Sequence, residues 1–227
     1  MLEVNGLQAG YGQARVVHEV SLTVKPGEVL SLVGRNGVGK TTSLKALMGL
    51  VDVFAGRVSV GGQATGAMTP ARACRLGIGY VSQQREVCPD LSVEQNLMLP
   101  LVANRLPTAA LESVYTRFGR LAERRRQIAG SLSGGERKLL AFARIMLLQP
   151  SIYLIDEPTE GLMPKAVEEV GSLITNLAAG GACVVLVEQN LPLVRAISTR
   201  VGLMNNGRLE ATVQTLGARE AEQYLGV

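Results

Sequence analysis

The sequence predicts an α/β fold: a mostly parallel sheet covered by helices, preceded by an antiparallel β subdomain and interrupted by an inserted helical subdomain. Three observations carry this. Compact apolar runs, "EVLSLVG" (28–34), "IYLI" (152–155) and "CVVLVE" (183–188), are strand-sized and alternate with helical stripes, the pattern of a parallel sheet with helical crossovers. From about Ser82 to Pro150 the pattern becomes helical. The opening segment instead alternates as strands, "LEVNGLQAGY" and then "RVVHEVSLTV", before a Pro26-Gly27 turn. The expected organisation is one domain over 1–227, with a core in 1–81 and 151–227 and a helical subdomain in 82–150.

Taken in order, the strand at 28–34 runs into a glycine-rich loop. A helix follows it, with Leu44, Ala46, Leu47 and Leu50 at helical spacing, ending near Gly49. "GRVSVGGQ" is a strand into a turn, Pro70 opens a short helix, and "IGYV" (78–81) is a strand. Helices are expected near 92–102, 108–122 and 134–148. Pro164 opens another, with Val167, Val170, Leu173, Ile174 and Leu177 on one stripe. Asn205-Asn206-Gly207 between two apolar runs predicts a hairpin.

At 227 residues, 47% apolar and 19% charged, the chain has the composition of an ordinary globular protein. No run approaches the roughly 18 apolar residues of a spanning helix, and no basic segment followed by an apolar one opens the chain, so no secretion signal is expected. Three cysteines without metal-ligand spacing read as thiols of a reducing compartment. Arginines gather between Arg117 and Arg144, but Glu112, Glu123 and Glu136 interrupt them. A solvated helical face accounts for this better than a nucleic-acid surface.

The chemistry lies in two glycine loops and two strand ends. Gly34-x-x-x-x-Gly39-Lys40-Thr41 is a complete P-loop pattern between a strand and a helix, which predicts a P-loop NTPase (RecA-like) core. Its glycines let successive N–H groups point at a triphosphate, and the helix that follows presents its positive end. The loop's candidate nucleotide-binding residues are Gly34, Arg35, Asn36, Gly37, Val38, Gly39, Lys40, Thr41 and Thr42. Lys40 would reach the terminal phosphates of ATP and Thr41 would ligate Mg²⁺. Asp156 and Glu157 end the buried strand at 152–155, where ligands of open α/β sheets bind. Asp156 would orient the Mg²⁺ shell and Glu157 would polarise an attacking water. The second loop, "SLSGGE" (131–136), precedes an amphipathic run. It reads both as a capping box, Ser133 with Glu136, and as a second anion cradle.

With "LSGGE" (132–136) beside the P-loop and "LIDE" (154–157), the chain resembles the ATP-binding cassette family, over essentially its whole length and with the motifs in that family's order. The resemblance implies that Tyr11 stacks on adenine. It implies that Gln83 joins core to helical subdomain and stands beside the metal and water, and that "EGLMP" (160–164) contacts a second copy. It implies a head-to-tail homodimer or heterodimer, in which Ser133, Gly134, Gly135 and Glu136 of one copy close over ATP held by the other's P-loop. Gln189 stands where most of the family carries a histidine facing the γ-phosphate. The lone His18 lies in a strand, a structural position.

"GRNGVGKTT", "REVCPDLSVEQNL", "DEPTEGLMP" and "LVEQN" are similar to the ATPase subunits of branched-chain amino acid importers; those of urea and short-amide importers share these strings, and "GRNGVGKTT" with "DEPTEGL" leans toward the latter. That branch implies a peripheral motor on the cytoplasmic face of the inner membrane. It would dock under integral membrane permeases near 83–89, serve a periplasmic solute-binding protein indirectly and bind no nucleic acid. An ATP-sensing scaffold without turnover and a soluble cassette acting on nucleic acid or ribosomes remain as alternatives.

Overall fold

A computed structural model describes residues 1–83 and 87–226. In chain order the elements are β1 (Leu2–Tyr11), β2 (Ala14–Val24), β3 (Val29–Val33), α1 (Lys40–Leu47), β4 (Asp52–Val60), β5 (Gln63–Ala64), α2 (Pro70–Arg75) and β6 (Ile78–Val81). There follow α3 (Val93–Ala103), α4 (Ala110–Arg117), α5 (Gly119–Glu123), a 3₁₀ turn at Ala129–Ser131 and α6 (Gly134–Met146). The chain returns to alternation with β7 (Ile152–Asp156), α7 (Pro164–Ala179), β8 (Cys183–Val187), α8 (Leu191–Ile197), β9 (Arg200–Asn205), β10 (Arg208–Val213) and α9 (Ala218–Leu225).

Among the described residues the strands form one sheet in the order β5-β4-β1-β2-β10-β9-β3-β8-β7-β6. The run β9-β3-β8-β7-β6 is parallel throughout. β5-β4-β1-β2 is antiparallel and joins the rest where β2 meets β10, at Glu19 and Arg208. The salt bridge between those two side chains, 2.6 Å, fastens the same seam.

The parallel strands are apolar on both faces because both are covered. In β7, Tyr153 and Ile155 pack with Leu97, Leu101, Leu140 and Phe142 of the helical segment and with Val170 and Ile174 of α7. Ile152 and Leu154 point the other way, toward Leu44 and Leu47 of α1 and Leu2, Val4 and Leu7 of β1. β8 divides identically, with Val184 and Leu186 on one side and Cys183, Val185 and Val187 on the other. Period-2 alternation in two buried, largely apolar strands therefore feeds two different cores.

Two expectations need correction. The helix expected over 108–122 is two helices, because Phe118 leaves helical geometry (φ −119°, ψ 68°) and drops its ring into the core before Gly119 restarts the winding. The helices α8 and α9 were not anticipated. α8 has only seven residues behind a proline, and α9 buries little more than one edge, through Ala221 with Leu216 and Tyr224 nearby. No helix among the described residues is long and apolar enough to cross a membrane.

Candidate functional site: a phosphate-loop cleft

The P-loop follows β3, which lies inside the parallel run between β9 and β8, so it leaves the sheet at its carboxyl edge, beside the end of β8 and one strand from that of β7. Gly39 takes φ 100° as the residue before α1, a conformation that strains any side chain. At Gly34 a Cβ would lie 2.3 Å from the Met204 carbonyl oxygen. The loop is thus pressed against β9, and the Gly207 amide of the β9–β10 hairpin donates to the Val38 carbonyl at 3.0 Å. No side chain caps α1, so its first amides remain available for an anion.

Lys40 is buried and its ammonium donates to the Gly34 and Arg35 carbonyls of its own loop, at 2.7 and 3.0 Å. Burial lowers its pKa, opposed by the charges of Glu157 and Asp156. The Thr41 hydroxyl donates to Asp156 Oδ1 at 2.9 Å, and the Tyr80 hydroxyl donates to Asp156 Oδ2 at 3.0 Å. Burial pushes the fully buried Asp156 carboxyl up, while these two hydrogen bonds hold it down. Burial and the neighbouring Asp156 charge drive the Tyr80 phenol far above its ordinary value, so it is a donor at every physiological pH.

Glu157 sits one residue beyond β7 with φ 44°, a left-handed conformation uncommon outside glycine. Its carboxylate is held from both sides: Gln83 Nε2 donates to Oε2 at 2.9 Å and Gln189 Nε2 donates to Oε1 at 2.7 Å. Gln83 also donates to Glu160 at 2.8 Å. Three segments far apart in sequence therefore converge on one carboxyl group. Together with Asn36, Gly37, Gly39, Lys40, Thr41 and Thr42 they line a cleft of about 340 Å³.

That donor and acceptor set suits a magnesium nucleotide. The loop's glycines and Lys40 line the cleft with Thr41, whose hydroxyl bonds to the Asp156 carboxylate buried behind it. A separate groove of about 870 Å³ between α7 and α8, lined by Leu162, Val167, Leu193 and Ile197 among others, carries no comparable set.

The other anticipated residues lie elsewhere. Tyr11 ends β1, about half exposed, outside the cleft lining. The Arg35 guanidinium extends toward Gly226 at the end of α9. Ser133, Gly134, Gly135 and Glu136 form the start of α6 and are not among the residues lining the P-loop cleft. Gly134 instead borders a cavity of about 840 Å³ with Gln83, Cys88, Pro89, Arg137 and Leu162. The Ser133 cap is complete: its amide and hydroxyl donate to Glu136 Oε2 at 3.0 and 2.8 Å, and the Glu136 amide donates back at 3.3 Å. Ser133's amide leads in holding the Glu136 carboxyl below its ordinary range against the effect of burial, with the Arg124 guanidinium 3.1 Å away adding to it. Of the docking segment expected near 83–89, residues 84–86 lie outside the described residues. His18 lies on the exposed side of β2, its amide donating to the Gly207 carbonyl at 2.8 Å.

Sequence reasoning missed Tyr80. Its signal is the pairing of β6 with β7, which sets Tyr80 opposite Leu154, two residues before Asp156. Glu188, buried one residue before Gln189, was missed as well.

Residues 17–160 match the family model described as ABC transporter. The high-affinity branched-chain amino acid transport ATP-binding protein BraG of Pseudomonas aeruginosa is 33% identical over 92% of this chain and 91% of its own length. A probable branched-chain amino acid transport ATP-binding protein LivF of Archaeoglobus fulgidus is 32% identical over 92% of this chain and 90% of its own. Among solved structures, a dimeric post-hydrolysis ATP-binding cassette with ADP and phosphate bound aligns over 96% of this chain and 100% of that one, with TM-score 0.82 and 25% identity. The cleft geometry, the matched family model and a third of the residues shared end to end with transport ATPases lead to one conclusion: the chain belongs to the ABC transporter family and is an ATPase subunit of it.

Proposed function

We propose that this ATPase powers an importer of branched-chain amino acids or a related small polar solute, working as a head-to-tail dimer over two ATP molecules. The observation that carries the hydrolytic part is the Glu157 carboxylate, clamped by the Gln83 and Gln189 amides at the mouth of the P-loop cleft. The names of the relatives support the importer branch, and the dimeric cassette of like fold supports pairing. A urea or short-amide importer remains the second reading of the same motifs.

In this reading the P-loop amides and Lys40 hold the phosphates. To do so, Lys40 exchanges its two bonds to the Gly34 and Arg35 carbonyls for phosphate oxygens. Thr41, Asp156 and Gln83 would hold Mg²⁺, which supplies charge neutralisation on the phosphates when bound. Glu157 orients a water and takes its proton as the water oxygen bonds the γ-phosphorus and the β–γ bridging bond breaks. The amides of Gln83 and Gln189 hold that carboxylate in place until then. Tyr11 would stack on the base, and Ser133 with the amides of Gly134 and Gly135 would close on the partner's nucleotide. Segment 82–150 would swing as a unit against 1–81 and 151–227, and membrane subunits on the cytoplasmic face would dock by the cavity bordered by Gln83, Cys88 and Pro89.

The test is Glu157→Gln. Loss of a general base removes on the order of 10²-fold or more from turnover, while the P-loop and Asp156 still bind ATP. A dimer held by ATP is then expected by size-exclusion chromatography with light scattering. Phosphate release at the wild-type rate would refute the role of Glu157. Stimulation of the wild type by nucleic acid rather than by permease subunits would favour the non-transport alternative.

A further inference from the structure

We propose that Glu188 is a positioning residue for hydrolysis: its buried carboxylate ties the loop after β7 to the loop after β8 and thereby holds Gln189 against Glu157. The inference rests on the reading of Glu157 and Gln189 given above. The two loops begin side by side, because β7 and β8 pair in parallel up to Asp156 and Val187 and the Glu157 amide continues the ladder to the Val187 carbonyl at 2.9 Å. Among the described residues no strand pairing holds them beyond that point.

Glu188 does it instead. The side chain is 2% exposed, and each of its oxygens serves one loop. Oε1 accepts from the Thr159 amide at 3.1 Å and from the Thr159 hydroxyl. Oε2 accepts from the amides of Gln189 and Asn190 at 2.7 and 2.8 Å. Asn190 in turn caps α8 through Oδ1, which accepts from the Leu193 amide at 3.1 Å.

All four partners of the carboxylate are donors. A carboxylate is an acceptor only and can satisfy them together, whereas a glutamine would turn an NH₂ group either onto the amides of Gln189 and Asn190 or onto the Thr159 amide, where only the Thr159 hydroxyl could accept from it. Burial makes that mismatch costly. The consequence falls on Gln189, whose backbone is fixed by Glu188 while its side chain reaches Glu157 at 2.7 Å. Glu157 is itself in a left-handed backbone conformation that its surroundings must maintain. A shift of 1 Å at Gln189 is enough to misplace the carboxylate for water activation.

The experiment is a double-mutant cycle on the purified full chain, reading phosphate release and binding of a fluorescent ATP analogue. Glu188→Gln is expected to lower kcat about 10- to 100-fold with analogue affinity within about threefold of wild type, and Glu188→Asp to fall between. In the Gln189→Ala background, Glu188→Gln should cost less than about threefold more, because its effect runs through Gln189. A merely structural role would cost the same factor in both backgrounds, and that outcome overturns the proposal, as does full turnover in Glu188→Gln. Should Glu188→Gln not fold, Thr159→Ala removes one donor and keeps the carboxylate. A loss of a few-fold that vanishes in the Gln189→Ala background supports the proposal, and equal losses overturn it. A wild type that releases no phosphate would bring down the hydrolytic reading and this inference with it. An active wild type with an indifferent Glu188→Gln would overturn this inference alone.

Discussion

Gln189 lies 2.7 Å from the carboxylate that would activate water, and it carries no titratable proton. In the proposed mechanism its work is therefore geometric. Gln189→Ala is expected to lose on the order of 10²-fold in turnover, the cost of one preorganised donor at a developing anion. Gln189→His should keep most activity and acquire a pH dependence between ~6 and 7.5, around the unperturbed histidine pKa. Steady-state phosphate release across pH for the three proteins checks both, and an alanine variant as fast as wild type would remove Gln189 from the chemistry.

Asp156 gives a second prediction at this scale. Burial raises its pKa, and the bonds from Thr41 and Tyr80 lower it. For a carboxyl raised on folding, the associated stability is fully present below the unfolded value, about 3.9, and is lost as pH rises through the folded value. Tyr80→Phe removes one bond to the ionised form, so the Asp156 pKa should climb further and the loss should extend to higher pH. A carboxyl NMR titration of the ligand-free protein reads this directly. An unmoved Asp156 would show that the phenol does not stabilise its charge.

The start of α6 has one role within its own chain and, in the proposed assembly, a second in the partner's site. The capping box of Ser133 and Glu136 is complete within the chain and accounts for the helix beginning where it does. Ser133→Ala should cost about 1 kcal/mol, the usual worth of such a cap, seen as a melting point lower by about 2–4 °C for a chain of this size. ATP binding to the isolated subunit should be untouched, since Ser133 does not line its own P-loop cleft. The support has a pH sign as well. Glu136 is held below the ordinary carboxylate range, so its contribution is present above the unfolded pKa and lost as pH falls through the folded one. A melting point that does not change on substitution would mean that α6 is held by its packing alone, through Leu140 and Phe142, both fully buried.

On the scale of the whole molecule, the two glycine loops border different cavities. A second copy supplies the missing wall in the proposed assembly. Mixing Ser133→Arg with Lys40→Ala should then restore phosphate release to at most about half of one intact site pair, because one composite site carries neither lesion. Each variant alone should be inactive. Nucleotide binding lost in Ser133→Arg by itself would contradict an arrangement in which that serine acts on the partner's site.

The strands β3, β7 and β8, the phosphate loop and the acids Asp156 and Glu157 were legible in the sequence. Each is a local pattern: a short apolar run, glycines at fixed offsets, charges ending a buried strand. The break at Phe118 was not, because a buried ring interrupts a stripe that keeps helical spacing on both sides. Nor was α8, too short to show a period. By itself the sequence determined the fold class, the family and the chemical groups offered to a nucleotide, since backbone geometry and residue type decide these within a few residues. Only the tertiary structure decided which groups meet. The order of strands in the sheet brings Tyr80 onto Asp156, both glutamines onto Glu157, and Glu188 between two loops about thirty residues apart. Such hydrogen bonds depend on parallel pairing across the sheet, and no local pattern in the chain encodes them.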